Sequence, residues 1–411
     1  MTLFEELKWR GLVKDVANEE ELEKKVNAGK MVFYWGTDPT ADSLHVGHYS
    51  SLVTAKRLAK AGNQFITLVG GSTGMIGDPR PTAEREIAAK ETIIANAEKL
   101  KKQIQRLVDK DTKFVNNYDW TKDVGILDFL RDVGKYVNLN YMLDKDIIRR
   151  RLDTGITYAE FSYTLLQAFD FLWLYENMDC EMQIGGSDQW GNLTSGVDLI
   201  NKKLDKEAYA FTMPLILDAN GNKFGKSEGN ALWLDEDKTS SYELYQYLIN
   251  SSDEKIEEYL KVFTFLTPEE IEDVMKKHLA KPEDRFAQKT LAFEMIKDLH
   301  GEESFNHAME VSEALFSGDV SKLNEKDITS VFRGMDSFDI DKDTNIIDLL
   351  VDNEVVKSKR EAREFISNGS ITLNGEKVTD TEMVVTKKNC LFDKYIIIRR
   401  GKKKYHVGMY N

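Results

Sequence analysis

The stretch from residue 31 to residue 61, MVFYWGTDPTADSLHVGHYSSLVTAKRLAKA, constrains the fold more than any other part of the chain. Its first five residues are apolar and β-prone and predict a strand, and the Gly-Thr-Asp-Pro run that follows predicts a turn. Asp42 or Ser43 can cap the helix that the apolar spacing then predicts. Together with a second apolar run at 65–69, this order of strand, helix and strand indicates a right-handed parallel crossover.

His45 and His48 stand in the first turn of that predicted helix and share one face. Backbone N–H groups at a helix start lack intrahelical partners and attract anions, so the pair predicts an anion site. Three other interpretations stay open for this pattern alone. The histidines can bind a metal, although no further ligands cluster nearby. They can also be ordinary exposed residues, or Gly47 between them can permit close helix packing.

Length, charge and cysteine count limit the possible number of domains, the class of partner and the kinds of metal or disulfide site. A chain of 411 residues exceeds the size at which one core stops growing, so two or three domains are expected. The net charge is −14, yet residues 345–411 carry 13 Lys and Arg against 9 Asp and Glu, which favours an anionic partner for that part. Cys180 and Cys390 cannot build a disulfide framework or a Cys-rich zinc site. No apolar run reaches membrane-spanning length, which predicts a soluble, cytoplasmic protein without a membrane partner.

A second informative stretch is the helix predicted over 157–177, which is apolar almost all round except for one stripe. Tyr163, Gln167 and Asp170 fall at i, i+4 and i+7 and therefore share a face. A face that meets solvent usually carries Lys and Glu, whereas this stripe suits a pocket that hydrogen-bonds a ligand hydroxyl and amine. Both interpretations stay open.

Two loops carry further candidates. The glycine-rich run at 70–79 follows a predicted strand and lets backbone approach a ligand closely, but it lacks a GxGxxG fingerprint. Asp78 within it can bind a substrate ammonium or be only a turn residue. Lys223 and Lys226 lie in a second loop, where they can meet charge that develops on a pyrophosphate leaving group or form a solvated basic surface.

Taken together, these motifs resemble those of the class I aminoacyl-tRNA synthetases. The run HVGH at 45–48 is similar to the HIGH signature of that class, and KFGKS at 223–227 stands where its KMSKS signature belongs. A narrower resemblance to the bacterial tyrosyl-tRNA synthetases covers nearly the whole chain. It rests on DPTADSLH at 38–45, IGDP at 76–79, the Tyr163/Gln167/Asp170 helix, QIGGSDQWGN at 183–192, and an S4-like RNA-binding pattern at 358–378.

The resemblance implies a role for individual residues, with Tyr34 and Asp170 on the phenol hydroxyl of a bound tyrosine. The implied catalytic residues are Thr40, His45, His48, Lys223, Lys226 and Ser227. The implied tyrosine-binding residues are Tyr34, Asp78, Tyr163, Gln167, Asp170 and Gln189. The implied ATP-binding residues are Gly36, Asp38, Gly47, Gly186, Asp188 and Lys226. Two basic clusters are expected to bind tRNA through Lys359, Arg360, Arg363, Arg399, Arg400 and Lys402.

The implied activity is ATP-dependent activation of L-tyrosine to tyrosyl-adenylate, followed by transfer to the 3′ end of tRNA(Tyr), with AMP and pyrophosphate as products. ATP enters as a substrate with Mg²⁺, no protein-bound metal is expected, and a homodimer is implied. The sequence departs from the family at Trp35, where a small residue is expected, and after Pro79, where many relatives have a lysine. Arg80 or Arg85 can substitute for that lysine, and its role stays open. A tryptophanyl-tRNA synthetase-like enzyme and a catalytically inactive RNA-binding relative remain as alternatives.

The expected fold class is α/β, with a Rossmann-like parallel-sheet nucleotide-binding domain, an α-helical domain and a small α+β S4-like RNA-binding domain. Residues 1–30 are expected to form an amphipathic helix within the first domain. The predicted ranges are 1–216 for the catalytic domain with a helical insertion around 120–160, 217–240 for the KFGKS loop and connection, 241–316 for the helical domain, 317–344 for a linker, and 345–411 for the S4-like domain.

Overall fold

The computed structural model describes residues 1–79, 88–152, 155–227, 230–333, 335, 337–401 and 404–410. Contacts divide the chain into two compact units. The first comprises residues 1–238 and 249–299, and the second comprises residues 239–248 and 300–411.

Helices supply much of the regular structure. In chain order they are α1 (Leu3–Trp9), α2 (Glu19–Asn27), α3 (Val46–Lys60), α4 (Lys90–Leu107), α5 (Tyr118–Thr121), α6 (Ile126–Asp132), α7 (Leu139–Leu143), α8 (Asp146–Leu152), α9 (Tyr158–Met178), α10 (Trp190–Leu204), α11 (Ser241–Ile249), α12 (Ile256–Phe263), α13 (Pro268–Ala280), α14 (Phe286–His300), α15 (Glu302–Ser317), α16 (Glu325–Val331), α17 (Ile346–Asp352) and α18 (Lys359–Ser367). Within the described ranges, no helix has both the length and the apolar character needed to cross a membrane.

A six-stranded sheet forms the centre of the first unit. Its strands are β1 (Val16–Ala17), β2 (Val32–Thr37), β3 (Gln64–Val69), β4 (Lys113–Asn116), β5 (Met182–Gly186) and β6 (Tyr209–Met213). The strand order is β1-β6-β5-β2-β3-β4, and every neighbouring pair is parallel except β1 with β6. The chain moves from β2 toward one edge and from β5 toward the other, so the direction of winding reverses between β2 and β5. The expected parallel-sheet α/β fold is confirmed.

The N-terminal thirty residues differ from the single amphipathic helix that was predicted. They form α1 and α2 with the short strand β1 between them. Gly11 and Asn18 have positive φ values of 72° and 60°, a backbone conformation that a continuous helix excludes. Periodicity alone did not reveal these two breaks.

A small hairpin, β7 (Lys226–Ser227) with β8 (Asn230–Ala231), completes the strands of the first unit. The strands of the second unit are β9 (Ser337–Ile340), β10 (Thr344–Asn345), β11 (Ile371–Leu373), β12 (Glu376–Lys377), β13 (Val384–Val385), β14 (Tyr395–Arg400) and β15 (Lys404–Tyr410). Five of them form a sheet in the order β12-β11-β14-β15-β9, in which only β9 runs parallel to its neighbour. The second unit is therefore a mixed α+β structure.

The prediction that residues 317–344 are a linker is wrong. Val320, Leu323 and Ile328 from this segment are buried in one core with residues of α15, β14 and β15, and β9 pairs with β15. The polar composition concealed these few, well-spaced apolar residues. The segment 241–316 also does not form a unit of its own, because α12 and α13 belong to the first unit and α11 and α15 belong largely to the second.

Candidate active site

A cavity of about 500 Å³ opens in the first unit where the winding of the sheet reverses. It is lined by residues at the carboxyl ends of β2 and β5, by the start of α3, and by one face of α9. In open α/β sheets, ligands bind outside the carboxyl ends of the strands at this reversal point. The volume lies within the range of small-molecule sites.

Most of the residues singled out from the sequence line this cavity. They are Thr40, His45, His48 and Lys223 of the catalytic set, Tyr34, Asp78, Tyr163, Gln167, Asp170 and Gln189 of the tyrosine set, and Gly36, Asp38, Gly47, Gly186 and Asp188 of the ATP set. Trp35 lines the cavity as well. Lys226 does not line it and is exposed in β7 beside Ser227. Arg80 and Arg85 lie outside the described residues.

Tyr34 and Asp170 form the buried end of the cavity, with 2% and 3% of their surfaces exposed. The Tyr34 hydroxyl has no hydrogen-bond partner among the described residues. Burial, together with the nearby charge of Asp170, raises the pKa of Tyr34 well above its usual value. A buried hydroxyl without a partner costs stability, so its position is readily explained by a ligand that supplies the missing bond.

The Asp170 carboxylate is held by two donors that the sequence analysis did not identify. Asn117 Nδ2 and Trp120 Nε1 each donate a hydrogen bond to it at 2.9 Å. Burial raises the pKa of Asp170 to about 7, and the two hydrogen bonds oppose that rise. Asn117 directly follows β4, so a polar residue at the carboxyl end of a parallel strand was the signal available for it.

The same hydrogen-bond chain continues from Asn117 toward Asp38. Asn117 Nδ2 donates to Thr73 Oγ1 at 3.0 Å, and Thr73 Oγ1 donates to Asp38 Oδ1 at 2.6 Å. The Tyr163 hydroxyl donates to Asp38 Oδ2 at 2.8 Å. Asp38 and Tyr163, which were assigned to different substrates, are thus directly bonded in this structure, and Thr73 was missed.

Asp78 is bonded to two amide side chains from the start of α10. Gln189 Nε2 and Asn192 Nδ2 donate to its carboxylate at 2.8 and 3.2 Å. Asn192 Nδ2 also donates to Gln189 Oε1 at 2.9 Å, and Asn192 Oδ1 accepts from Thr164 at 2.8 Å. Asp78 is therefore fixed as part of the cavity wall. Asn192 was quoted within a motif but received no role from the sequence.

His45 is the N-cap of α3, in place of the predicted Asp42 or Ser43. Its Nδ1 accepts the N–H of Gly47 at 3.0 Å, and His48 Nδ1 accepts the N–H of His45 at 3.3 Å. Asp42 instead pairs with Lys99 and Lys238. With both Nδ1 atoms occupied as acceptors, each neutral imidazole carries its proton on Nε2.

The pKa values of both histidines are lowered, which favours the neutral form at pH 7. Burial is the main cause for His45, followed by the charges of Lys226 and Lys223. Burial and the neighbouring His45 lower the pKa of His48 to about 3. The described part of the chain places no group of three or more His, Cys, Asp or Glu side chains to hold a metal.

The anion site predicted from free backbone N–H groups differs from what the structure contains. The N–H of Val46 donates to the carbonyl of Leu232 at 2.8 Å, and the N–H of Gly47 donates to His45. The Val46 N–H has a partner because the segment around Trp233 pairs with the start of α3, and the Gly47 N–H has one because the His45 side chain caps the helix. Donors for an anion must therefore come largely from side chains, namely the histidines and the loop lysines.

The KFGKS loop packs directly on the start of α3 through Gly225. Its φ is +84°, and a Cβ at this position would lie 2.7 Å from Cβ of Val46. The carbonyl of Gly225 also accepts the N–H of Leu232 at 2.8 Å. A glycine is required here both for its backbone conformation and for the close approach to α3.

Replacing Gly225 by Ala is expected to reduce amino-acid activation by roughly tenfold, because a displacement of the loop by a fraction of an ångström misplaces Lys223 and Lys226. Gly221→Ala is the matched control, since Gly221 has φ +82° but no atom within 4 Å of its Cβ position. Pyrophosphate exchange and thermal unfolding of both variants separate the effect of loop displacement on activity from the effect of backbone strain on stability. Equal losses in the two variants would assign the cost to backbone conformation alone.

The two basic clusters of the second unit differ in how far their side chains are exposed to solvent and already hydrogen-bonded or ion-paired. Arg360 and Arg363 on α18 are exposed, while Lys359 pairs with Asp348 at 2.6 Å. Arg399 and Arg400 on β14 are half-buried and donate to the backbone carbonyls of Gly401 and Val355, respectively. Lys402 lies outside the described residues. The α18 cluster therefore offers the more accessible positive charge.

Comparison with known proteins identifies the family. A family model described as tRNA synthetases class I (W and Y) matches residues 26–317. The chain belongs to this family. This class I synthetase also matches, over residues 327–407, the model of the tyrosine–tRNA ligase SYY-like C-terminal domain. The resemblance inferred from the motifs is thereby confirmed at the family level.

Individual relatives of this class I synthetase are similar over its whole length. A tyrosine–tRNA ligase of Streptococcus uberis is 46% identical and one of Streptococcus pneumoniae serotype 19F is 44% identical, each over 100% of both chains. Among solved structures, a C-terminally truncated mitochondrial tyrosyl-tRNA synthetase of Aspergillus nidulans is 31% identical with a TM-score of 0.69, covering 77% of this chain and 94% of that one. A tryptophanyl-tRNA synthetase from Encephalitozoon cuniculi, 15% identical with a TM-score of 0.55 over 79% and 89% of the chains, shares the fold.

Proposed function

We propose that the chain is a tyrosine–tRNA ligase. It activates L-tyrosine with ATP, as the magnesium complex, to tyrosyl-adenylate and pyrophosphate, and then transfers the tyrosyl group to the 3′ end of tRNA(Tyr), releasing AMP. The observation that carries the proposal is the Tyr34 hydroxyl, which has no partner among the described residues and is buried beside Asp170 in a cavity that also contains His45. The full-length relatives, both tyrosine–tRNA ligases, support it.

Recognition of the tyrosine side chain follows from these two groups. The Asp170 carboxylate, already oriented by Asn117 and Trp120, accepts a hydrogen bond from the substrate phenol hydroxyl, and the Tyr34 hydroxyl donates one to the phenol oxygen. Phenylalanine would leave the buried Tyr34 hydroxyl without a partner and would supply no further hydrogen bond to Asp170. Sites built to hydrogen-bond a substrate hydroxyl reject the analogue that lacks it by this means.

The rest of the tyrosine is bound by the polar groups between its side chain and the nucleotide. Its ammonium pairs with the Asp78 carboxylate and with the polar stripe of α9, formed by Tyr163 and Gln167, while Gln189 lies toward its carboxylate. Asp78 is suited to this role because Gln189 and Asn192 hold it in place. The adenosine of ATP lies against Gly36, Asp38, Gly47, Gly186 and Asp188, where the glycines permit close approach.

In the activation step, a tyrosine carboxylate oxygen attacks the α-phosphorus of ATP, and the bond from that phosphorus to the oxygen bridging to the β-phosphate breaks. An ionised carboxylate needs no protein nucleophile, so positioning and charge stabilisation supply most of the acceleration. Neutral His45 donates its Nε2–H to a phosphate oxygen, because its Nδ1 caps α3. The remaining contributions come from Thr40, His48, Lys223, Lys226 and Ser227.

Amino-acid-dependent exchange of labelled pyrophosphate into ATP tests the proposed activity. The expected result is strong stimulation by tyrosine and background rates with phenylalanine and tryptophan. Stimulation by tryptophan in place of tyrosine would assign the chain to the other branch of its family. Absence of exchange with all twenty amino acids would indicate a catalytically inactive relative.

We further propose that the exposed arginines of α18 bind tRNA. Changing Arg360 and Arg363 together to Ala is expected to weaken tRNA binding and to reduce the slope of log K against log salt by about 2, because two phosphate contacts are lost. Pyrophosphate exchange, which needs no tRNA, should be unaffected. Filter binding at several salt concentrations measures the slope, with Lys359→Ala as a control whose partner Asp348 already neutralises it. An unchanged slope would exclude this surface.

We also propose a homodimer and, because tRNA and ATP are its substrates, a cytoplasmic location. Large apolar side chains are exposed close together in the sequence at α6 and α7, namely Ile126, Leu127, Leu130, Leu139 and Tyr141. Exposed apolar patches of this kind mark interaction surfaces. Sedimentation equilibrium is expected to show a dimer that Leu127→Glu dissociates, and a dimer that persists in this variant would place the interface elsewhere.

A further inference from the structure

Helix α12 contributes to the candidate active site although the sequence placed it in a separate helical domain. Its last residue, Phe263, is 1% exposed and lines the cavity. Tyr259 is one turn earlier on the same helix and is also buried. Neither residue received a role from the motifs.

On one side, α12 holds the KFGKS loop through the buried side chain of Phe224. The Phe224 ring lies 4.8 Å from the ring of Phe263, with planes 25° apart, and 4.4 Å from the ring of Tyr259. The Tyr259 hydroxyl donates to the carbonyl of Leu217 at 3.0 Å, just before the loop. Phe224 directly follows Lys223 and precedes Lys226 by two residues. The aromatic contact of Phe224 with α12 therefore helps to position both lysines.

On the other side, α12 is joined to α3, the helix that begins at His45. The Tyr49 ring is parallel to that of Phe263 within 5°, with centroids 6.1 Å apart. Further along α3, the buried Arg57 donates to the carbonyl of Val262 at 3.1 Å and to that of Thr264. These bonds satisfy carbonyls at the C-terminal end of α12, where a cation also interacts favourably with the helix dipole.

We propose that Phe263 is a positioning residue that sets the spacing between the loop lysines and His45. It is in ring contact both with Phe224 of the loop and with Tyr49 of α3, so one side chain connects the two groups of cations and donors that must meet a single triphosphate. The inference rests on the proposed activation reaction. It adds a residue that acts through Phe224 and Tyr49 without donating a hydrogen bond itself.

The physical reason is the strictness of transition-state positioning. A shift of about 1 Å at the reacting groups can cost roughly 100-fold in rate. The loop is also held by backbone bonds, such as Phe224 N–H to the Ile216 carbonyl at 2.9 Å, and by the close approach of Gly225 to Val46. The residues proposed to bind tyrosine, in contrast, lie on β2, on α9 and at Asp78 and Gln189, and none of them belongs to α12. A change at Phe263 should therefore affect the activation step while leaving tyrosine binding intact.

The test compares Phe263→Leu with Phe4→Leu in the full-length protein. Phe4 is also fully buried in the first unit and pairs its ring with Phe211 at 6.3 Å, but it does not line the cavity. Phe263→Leu is expected to lower kcat of tyrosine-dependent pyrophosphate exchange by roughly 10- to 100-fold with an unchanged KM for tyrosine. Phe4→Leu is expected to lower the unfolding temperature with little change in kcat. Equal kcat losses in the two variants would overturn the proposal.

A double-mutant cycle with Lys226→Ala separates positioning from direct substrate contact. If Phe263 acts through the loop, Phe263→Leu costs much less in the Lys226→Ala background than in the wild type, because the group it positions is absent. Fully multiplicative losses would overturn the proposal. If Phe263→Leu fails to fold, Phe224→Leu takes its place. It should likewise lower kcat without changing the KM for tyrosine, and it can be combined with Lys226→Ala in the same double-mutant cycle. A wild-type chain without tyrosine-dependent exchange would refute the proposed function itself, which is a distinguishable result.

Discussion

Replacing His45 by Ala is expected to slow tyrosyl-adenylate formation by roughly 10²- to 10³-fold, the usual cost of removing one transition-state donor. His45 lines the cavity with Nδ1 occupied by the helix cap, so Nε2 carries its proton, and in the proposed reaction the charge on the α-phosphate oxygens grows only as the carboxylate attacks. Tyrosine binding depends on Tyr34 and Asp170 and should change little. Single-turnover formation of the adenylate, set beside equilibrium binding of tyrosine, measures the two quantities separately.

His45 also caps α3, so the alanine variant loses stability as well as a donor. Removal of an N-cap acceptor costs about 1 kcal/mol. His45→Asn is the matched control, because asparagine caps helices well and offers an N–H donor of its own. It should recover the unfolding temperature and part of the rate. Equal loss of tyrosine binding and of rate in His45→Ala would mean that the role assigned to this residue is wrong.

Replacing Tyr34 by Phe is expected to reduce kcat/KM for tyrosine by roughly 10- to 100-fold, because a hydrogen bond to the buried substrate hydroxyl is lost. The rate with phenylalanine should stay the same or rise. Tyrosyl-tRNA synthetases as a class discriminate between the two amino acids by about 10⁵, a value that belongs to the class and not to this structure. Exchange rates measured with both amino acids give the ratio directly.

The same variant has an unusual expected effect on stability. The Tyr34 hydroxyl has no partner among the described residues, and an unsatisfied buried hydroxyl costs about 1–3 kcal/mol. Tyr34→Phe should therefore leave the free energy of unfolding unchanged or increase it, while Thr73→Val, which removes a hydroxyl bonded to Asp38, should decrease it. A marked loss of stability in Tyr34→Phe would indicate that the Tyr34 hydroxyl already has a hydrogen-bond partner in the unliganded protein.

The sequence singled out most of the residues that line the cavity, but it did not give the boundaries of the two units. His45 and Asp170 were singled out because each belongs to a short motif within one element, where periodicity and turn chemistry place the side chain. The role of Tyr34 came only from the family resemblance. The partners of Asp170 could not be assigned, since Asn117 and Trp120 lie some fifty residues away and reach it only through the packing of β4 and α5 against α9.

The missed boundaries have the same physical cause. Phe263 belongs to a segment whose helical periodicity was predicted correctly, but periodicity does not state which core a helix joins. Ile328 lies in a polar stretch whose few apolar residues become informative only when β14 and β15 are known to pack against them. Contacts that depend on the packing of distant segments, such as those of Phe263 and Ile328, were therefore not predictable from the sequence pattern.

The cradle around Asp170 has a consequence for attempts to change the amino acid that the chain accepts. Asn117 and Trp120 each present an N–H to the Asp170 carboxylate. An apolar residue introduced at position 170 to suit a hydrocarbon side chain would leave both buried donors without an acceptor. Each unsatisfied donor would lower the free energy of unfolding by roughly 1–3 kcal/mol. Redesign for a new substrate must therefore exchange the three residues as a group, and single-residue libraries at position 170 will mostly return poorly folded protein.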